Sequence, residues 1–186
     1  MNTAPTAAAR ADLAVLAWVQ ATATDHPAVV GVARVLSHAG EHAGAWIAAG
    51  ALGTLVDRRR RAAWATATAS VVAAHGASVV LKRVARRHRP TDERVLVRVG
   101  VPSRWSMPSS HATSTTAAAV AFAPLVGVPT WPLVPAMALS RMVLGVHYPS
   151  DVLAGSLLGA VTAAAAPRLV RPVVAKVLAA GGRVTS

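Results

Sequence analysis

The chain has no cysteine, one phenylalanine, one tyrosine and only seven acidic residues among 186. Without cysteine there are no disulfides and no thiolate metal sites, and the redox compartment is left open. With so little Phe and Tyr, Ala and Val carry most of an apolar share of 54%. They do so in runs long enough for membrane helices rather than a soluble core. Ala is nearly neutral for insertion, so the inference rests on several such runs together. Lysine is scarce too: Lys82 and Lys176 stand alone, and arginine supplies the rest of a net charge of +12. Such an excess fits nucleic acid, anionic lipid or a phosphorylated substrate. A nucleic-acid binder needs a polar basic face, for which these apolar runs leave little room, so no nucleic-acid partner is expected. The N-terminus lacks the basic start of a signal peptide, and Asp12 interrupts its first apolar run.

The length suits one domain. Residues 1–10 read as a disordered leader, residues 11–180 as a single membrane-embedded domain, and residues 181–186 as a tail. The predicted fold is all-α: a multi-spanning membrane helix bundle with about five spans plus short N- and C-terminal interfacial helices. Short helices over 11–22 and 27–38 precede spans at 42–56, 62–81, 111–127, 131–146 and 151–166. The arginine run at 58–61 anchors one membrane face. A last interfacial helix carries Arg168, Arg171 and Lys176. No internal repeat is visible.

Against this apolar background, residues 140–151 place Arg141, His147 and Asp151 where composition otherwise excludes charge. Ionisable groups among hydrophobic helices are costly and are functional candidates by default. Two more segments have the same character. Lys82 and Arg89 lie seven residues apart, followed by Pro90, which stops the helix. They can face one anion together, or serve as a basic interface anchor. Ser109, Ser110 and His111 follow Pro108 at the start of a predicted span, where free N–H groups and the helix dipole favour phosphate. Taken alone, His111 reads equally well as a local cap. Antiparallel alternation of the spans would bring the ends at 82, 111 and 147 to one membrane face. Asp151 lies four residues after His147, in reach of the ring N–H. Glu41, His42 and His75 either satisfy one another across the first spans or line a head-group pocket. A divalent metal held by His147 and Asp151 would face Lys82, Arg89 and Arg141, so neither a metal nor another cofactor is expected.

In order, the chain reads Lys82…Arg89-Pro90, Pro108-Ser109-Ser110-His111 and Ser140-Arg141…His147…Asp151. This resembles the type 2 phosphatidic acid phosphatase superfamily, whose signature is Lys-x6-Arg-Pro, Pro-Ser-Gly-His and Ser-Arg-x5-His-x3-Asp. Ser110 replaces the usual glycine, a position for which the family role implies only the backbone N–H. The motifs cover residues 82–151, and the first forty residues match nothing in them. The resemblance implies a lipid phosphatase in which neutral His147 attacks phosphorus and forms a phosphohistidine. Asp151 would orient it and stabilise its imidazolium. His111, protonated, would donate to the leaving alkoxide, a contribution of ~10²–10⁴-fold. Lys82, Arg89 and Arg141, with Ser109 and the Ser110 amide, would hold the phosphoryl oxygens. One neutral and one charged histidine imply a bell-shaped pH–rate profile.

Residues 37–42, 108–116 and 144–155 further resemble an actinobacterial branch of that superfamily, the phosphatases of polyprenyl-linked phosphoribose in cell-wall arabinan synthesis. Undecaprenyl pyrophosphate, phosphatidylglycerol phosphate and phosphatidic acid remain open as substrates. A soluble haloperoxidase or acid phosphatase with the same site is disfavoured by the apolar spans. A non-catalytic basic membrane protein is disfavoured because every catalytic position is filled. The expected location is the cell membrane, multi-pass, with the bilayer and a lipid phosphate as partners. Basic residues divide evenly between the two faces. Since Lys82 and Arg89 are explained by phosphate, the positive-inside rule leans to a motif face outside the cytoplasm.

Overall fold

The punctuation seen in the sequence sets the element boundaries. In the computed structural model, which describes residues 6–183, Thr6 caps α1 (Ala7–Ala23) and Pro27 opens α2 (Pro27–Gly40). A 3₁₀ turn (Glu41–Ala43) leads into α3 (Gly44–Val56). The arginine run precedes α4 (Arg61–Ala85), and Ser109 caps α5 (Ser110–Val126). Then come α6 (Leu133–Val143) and α7 (Pro149–Arg183). No strand occurs among the described residues; one isolated bridge joins His88 to Trp105 in the long α4–α5 connection. The all-α expectation therefore holds.

Both ends of the chain differ from the sequence expectation. Helix α1 begins at Ala7, inside the stretch read as a disordered leader, of which residues 1–5 lie outside the described residues. Residues 184–186 of the expected tail lie outside them as well. The C-terminal interfacial helix is not a separate element, because α7 continues through Pro167 and Pro172 for 35 residues. A proline removes one N–H and crowds the preceding turn without ending a helix that neighbouring packing supports.

Two helices, Arg61–Ala85 and Pro149–Ala180, are long and apolar enough to cross a membrane. Helix α6, with 11 residues, covers only about 16 Å of a hydrocarbon core about 30 Å thick. By length and composition, the expected five spans are thus matched at two. The outer surface is apolar nonetheless. Leu153, Leu157 and Val161, one α7 turn apart, are 71%, 67% and 57% exposed. Leu52, Leu55 and Val56 point outward from α3 in the same way. Contiguous exposed aliphatics of this kind mark a surface suited to lipid or a partner.

Small residues let the helices approach closely. Ala67, Val71 and Ala74 of α4 meet Ala117 and Ala118 of α5 and Ala163 of α7, with the Trp64 ring tilted against Phe122 at 5.5 Å between centroids. A Cβ on Gly159 would lie 2.3 Å from the Thr113 carbonyl oxygen, so α5 and α7 cross backbone to backbone there. A second cluster joins Val19 of α1 and Val30 and Ala33 of α2 to Val143, Leu144 and Val146. The two N-terminal helices, expected at the periphery, thus help to build the core beside residue 147. Gln20 completes the join: its amide donates to Leu96 O at 2.9 Å and Val143 O at 3.0 Å, and its Oε1 accepts from the Leu96 amide. Gly145, with φ of 70°, makes the turn after α6, a conformation that a side chain would strain.

Candidate active site

Antiparallel alternation brings the three motif segments to one end of the bundle. Lys82 arrives on the last turn of α4, His111 on the first turn of α5 and Arg141 on the last turn of α6. Arg89 and His147 come from the adjoining connections. All five line one cavity of about 830 Å³, with Ser110, Glu41, His42 and His75 on the same wall.

Lys82 and Arg141 are buried and Arg89 is half-buried, and hydrogen bonds to carbonyls and to one hydroxyl aim them. Lys82 Nζ donates to Ser106 O at 3.0 Å and Trp105 O at 3.3 Å. Arg89 Nε donates to Ser103 O and its Nη1 to Val146 O, each at 2.7 Å. Arg141 Nη1 donates to the Ser37 hydroxyl at 2.6 Å, while its buried Nε has no hydrogen-bond partner. Buried guanidinium N–H groups normally find acceptors, so an unpartnered one beside a cavity points to an anionic ligand. Burial holds Arg89 down to about 10, against a partly compensating pull from Asp151.

His147 lies between this cage and a carboxylate. Arg89 Nη1 stands 3.2 Å from His147 Nε2. A guanidinium can only donate, so Nε2 is the acceptor and the ring proton sits on Nδ1. Nδ1 faces Asp151 Oδ2 at 3.7 Å, near enough for ion pairing but too long for a hydrogen bond. Complete burial, then the nearby charges of Arg89, Arg141 and Lys82, hold the imidazole well below its ordinary range. The ring is therefore neutral, with its Nε2 lone pair on the cavity side. His111 is oriented differently: its Nε2 donates to Ser37 O at 3.0 Å. That fixes a proton on Nε2 and leaves Nδ1 open to exchange. Gly40 allows this packing, since a Cβ there would stand 2.8 Å from the His111 ring.

Two sequence candidates are placed less directly. Ser109 is buried and off the cavity wall, with its Oγ 3.5 Å from the Ala112 amide that it caps. Ser110 lines the cavity, its hydroxyl 2.8 Å from that of Ser78. Glu41 and His42 are exposed and only loosely paired, Oε1 to Nδ1 at 4.0 Å. His42 and His75 have ring centroids 6.4 Å apart, and the buried His75 Nδ1 has no partner. His42 and Ala43 both adopt left-handed backbone conformations, φ 51° and 60°. Non-glycine residues pay for this, and such strain gathers where a wall must be held in place. Among the described residues no three His, Asp or Glu side chains converge as a metal-binding group.

Sequence reasoning missed Ser37, which serves both Arg141 and His111, and Arg87, which reaches Asp151 Oδ1 at 2.9 Å. Ser37 carried one weak signal, the polar 37–42 stretch in which it sits. Arg87 was hidden among neighbouring arginines.

With this geometry in place, comparison with known proteins is informative. The PAP2 superfamily model matches residues 62–174. A decaprenylphosphoryl-5-phosphoribose phosphatase from Mycolicibacterium smegmatis is 53% identical over 149 residues, covering 80% of this chain and 83% of the relative. The protein of the same name from Mycobacterium tuberculosis is 47% identical over 158 residues, covering 84% and 89%. A transmembrane PAP2-type phosphatidylglycerolphosphate phosphatase from Bacillus subtilis, known from its crystal structure, superposes with a TM-score of 0.72 at 19% identity. It covers 89% of this chain and 87% of its own. At that identity the likeness speaks for the fold alone.

Proposed function

The chain belongs to the PAP2 superfamily, and on that premise we propose that it removes the phosphate from a polyprenyl-linked phosphoribose through a phosphohistidine intermediate. The observation that carries this reading is the neutral, Arg89-facing Nε2 of His147 in a cavity lined by the cations Lys82, Arg89 and Arg141. The lone pair on Nε2 attacks phosphorus, and the bond from phosphorus to the sugar oxygen breaks in line. The departing oxygen takes a proton from His111 at Nδ1. Water then attacks the phosphohistidine, giving its proton back to His111 and releasing inorganic phosphate and neutral His147. Asp151 balances the imidazolium while it exists. Lys82, Arg89, Arg141 and the Ser110 amide neutralise the equatorial oxygens, a preorganised cage that needs no added metal.

The substrate follows from the cavity and the relatives together. At about 830 Å³ the cavity exceeds what one phosphate needs, and Glu41, His42 and His75 occupy the additional wall. Carboxylate and imidazole acceptors there suit the hydroxyls of a pentose. The relatives' name, at 47% and 53% identity, supports the same head group. The apolar exterior supports a multi-pass position in the cell membrane. Helices α3 to α7 then form five crossings, the shorter ones completed by the polar connections beyond them. Placing the motif face outside the cytoplasm accords with the charge balance of the two faces.

Purified protein in detergent, assayed for phosphate release on a panel of lipid phosphates, tests the reading. Polyprenyl-linked phosphoribose should exceed phosphatidic acid, phosphatidylglycerol phosphate and undecaprenyl pyrophosphate in kcat/KM. A preference for any of those three would overturn the assigned substrate while leaving the chemistry.

A further inference from the structure

Arg87 lies inside the Lys82 to Arg89 stretch, yet it has no place in the phosphate cage and does not line the cavity. Its guanidinium sits behind His147 and joins three elements. Nη1 donates to Asp151 Oδ1 at 2.9 Å and to the Ser150 hydroxyl at 2.6 Å. Nη2 donates to Asp12 Oδ2 at 2.7 Å. Asp12 also accepts from the Ser150 amide at 3.0 Å and from the Ser150 hydroxyl. The guanidinium carbon stands over the Tyr148 ring, 4.2 Å from its centroid. The carboxylate that interrupted the first apolar run is thereby explained.

We propose that Arg87, anchored by Asp12 of α1, is a positioning residue that aims the Asp151 carboxylate at His147. This rests on the phosphatase reading of the site given above. Asp151 is completely buried, and such a carboxylate needs a counter-charge. Lys82, Arg89 and Arg141 line the cavity, where phosphate takes their charge. Arg87 supplies the balance from the opposite side, where it does not compete for substrate. With Oδ1 held by Arg87 and Oδ2 held by the Tyr148 amide at 2.9 Å, the carboxylate has one allowed rotation. That rotation keeps Oδ2 opposite His147 Nδ1, ready for the imidazolium that forms on attack. A planar fork reaches two carboxylates in fixed directions, whereas a lysine keeps the charge but not that geometry. Helix α1, which contributes nothing to the motif signature, thereby acts on the reaction.

The test compares Asp12→Asn, Arg87→Gln, Arg87→Lys and the Asp12→Asn/Arg87→Gln pair with His147→Ala as control, in detergent, on the best lipid phosphate. Groups that orient a reactive ligand from behind are worth about 10- to 100-fold when removed. Arg87→Gln should lose kcat on that scale with KM within about twofold, and Arg87→Lys should recover part of it. Asp12→Asn should lose less, and the pair no more than Arg87→Gln alone, since Asp12 acts through Arg87. Unfolding midpoints normalise each variant to its folded fraction, and Asp12→Asn carries the test if Arg87→Gln does not fold. Unchanged kcat per folded molecule, or a rise in KM alone, overturns the positioning role. If His147→Ala keeps wild-type turnover, the reading of the whole site fails, and the two failures are told apart.

Discussion

Nη1 of Arg89 points at Nε2 of His147 from 3.2 Å, so a cation of the cavity keeps that ring nitrogen unprotonated. Before substrate binds, the pair is a donor and a lone pair. In the proposed reaction an entering phosphate takes the guanidinium with its oxygens and meets the freed lone pair with its phosphorus. On that proposal, substrate binding and activation of His147 are the same exchange.

A pH dependence follows. Burial, then Arg89, Arg141 and Lys82, place the His147 imidazole well below its ordinary 6.5. A lowered pKa means that the neutral form persists as pH falls through 6.5, so the acid limb of kcat/KM should lie below that value. Arg89→Gln removes the nearest cation and should move the limb upward toward 6.5. Stability carries the same sign. Below 6.5 the unfolded chain takes up a proton that folded His147 refuses, so stability is lost as pH falls through that value. A wild-type acid limb at 6.5 that Arg89→Gln leaves in place would count against the assignment.

The two histidines should separate by leaving group. His147→Ala removes the attacking nitrogen, and turnover should fall at least ~10⁴-fold on every substrate. His111→Ala removes the help given to a poor leaving group, ~10²–10⁴-fold, and the acceptor for the attacking water's proton. On p-nitrophenyl phosphate, whose phenolate leaves unaided, His111→Ala should therefore recover much of the first step. A burst of nitrophenol followed by slow turnover would report the trapped phosphohistidine. Equal losses for both variants on both substrates would exclude the separate roles.

Arg141 is held by Ser37 at 2.6 Å and leaves its Nε for a ligand. Arg141→Lys keeps the charge but loses the fork, and kcat/KM should drop ~10²-fold. Ser37→Ala should give a smaller loss, because Ser37 O still orients His111 from the backbone. Steady-state kinetics of both variants check this, and a fully active Arg141→Lys enzyme would show that charge alone suffices.

Much of this site was legible because the phosphate cage is written in residues that an apolar chain otherwise excludes. Lys82, Arg89, His111, Arg141 and His147 stand out against Ala and Val, and Pro108 and Gly145 mark two of the helix ends that bring them together. Helix α4, by contrast, ends at Ala85 with a left-handed Arg86, before Pro90. What stayed hidden depends on distance along the chain. Arg87 and Asp12 lie 75 positions apart, and nothing local pairs them. Ser109 reads both as a helix cap and as a phosphate ligand, and the packed helix shows its hydroxyl at the cap. Similarly, the sequence reads as a span ending near residue 166 and a separate interfacial helix, whereas α7 runs on through Pro167 and Pro172.

Glu41 offers a test of head-group recognition that leaves the chemistry intact. It is half-exposed at the cavity wall and pairs with His42 only at 4.0 Å, so little folding energy depends on it. Glu41→Gln should keep the unfolding midpoint and the rate on phosphatidic acid. Its kcat/KM for polyprenyl-linked phosphoribose should fall about tenfold, on the scale of one charged hydrogen bond to a sugar hydroxyl. Equal loss on both lipids would assign Glu41 to the phosphate cage instead.

Gly155 and Gly159 stand one turn apart on α7, both pressed on α5, and should nevertheless differ in what they cost. A Cβ on Gly159 would lie 2.3 Å from Thr113 O, deep in the helix crossing. Gly159→Ala should therefore lower stability by ~1–3 kcal/mol, as overpacking does, with the kinetics of the folded fraction little changed. A Cβ on Gly155 would lie 2.5 Å from Ser109 O. Ser109 caps the helix that presents His111, and its amide donates to Asp151 O at 2.9 Å. Displacing it moves the acid and the nucleophile's carboxylate together. Gly155→Ala should thus lose kcat as well as stability, by tenfold or more if a misplacement of about 1 Å costs what it does elsewhere. Thermal unfolding and kcat measured on the same detergent preparations separate the cases: parallel losses in both variants would mean that the α5–α7 crossing moves as one rigid unit.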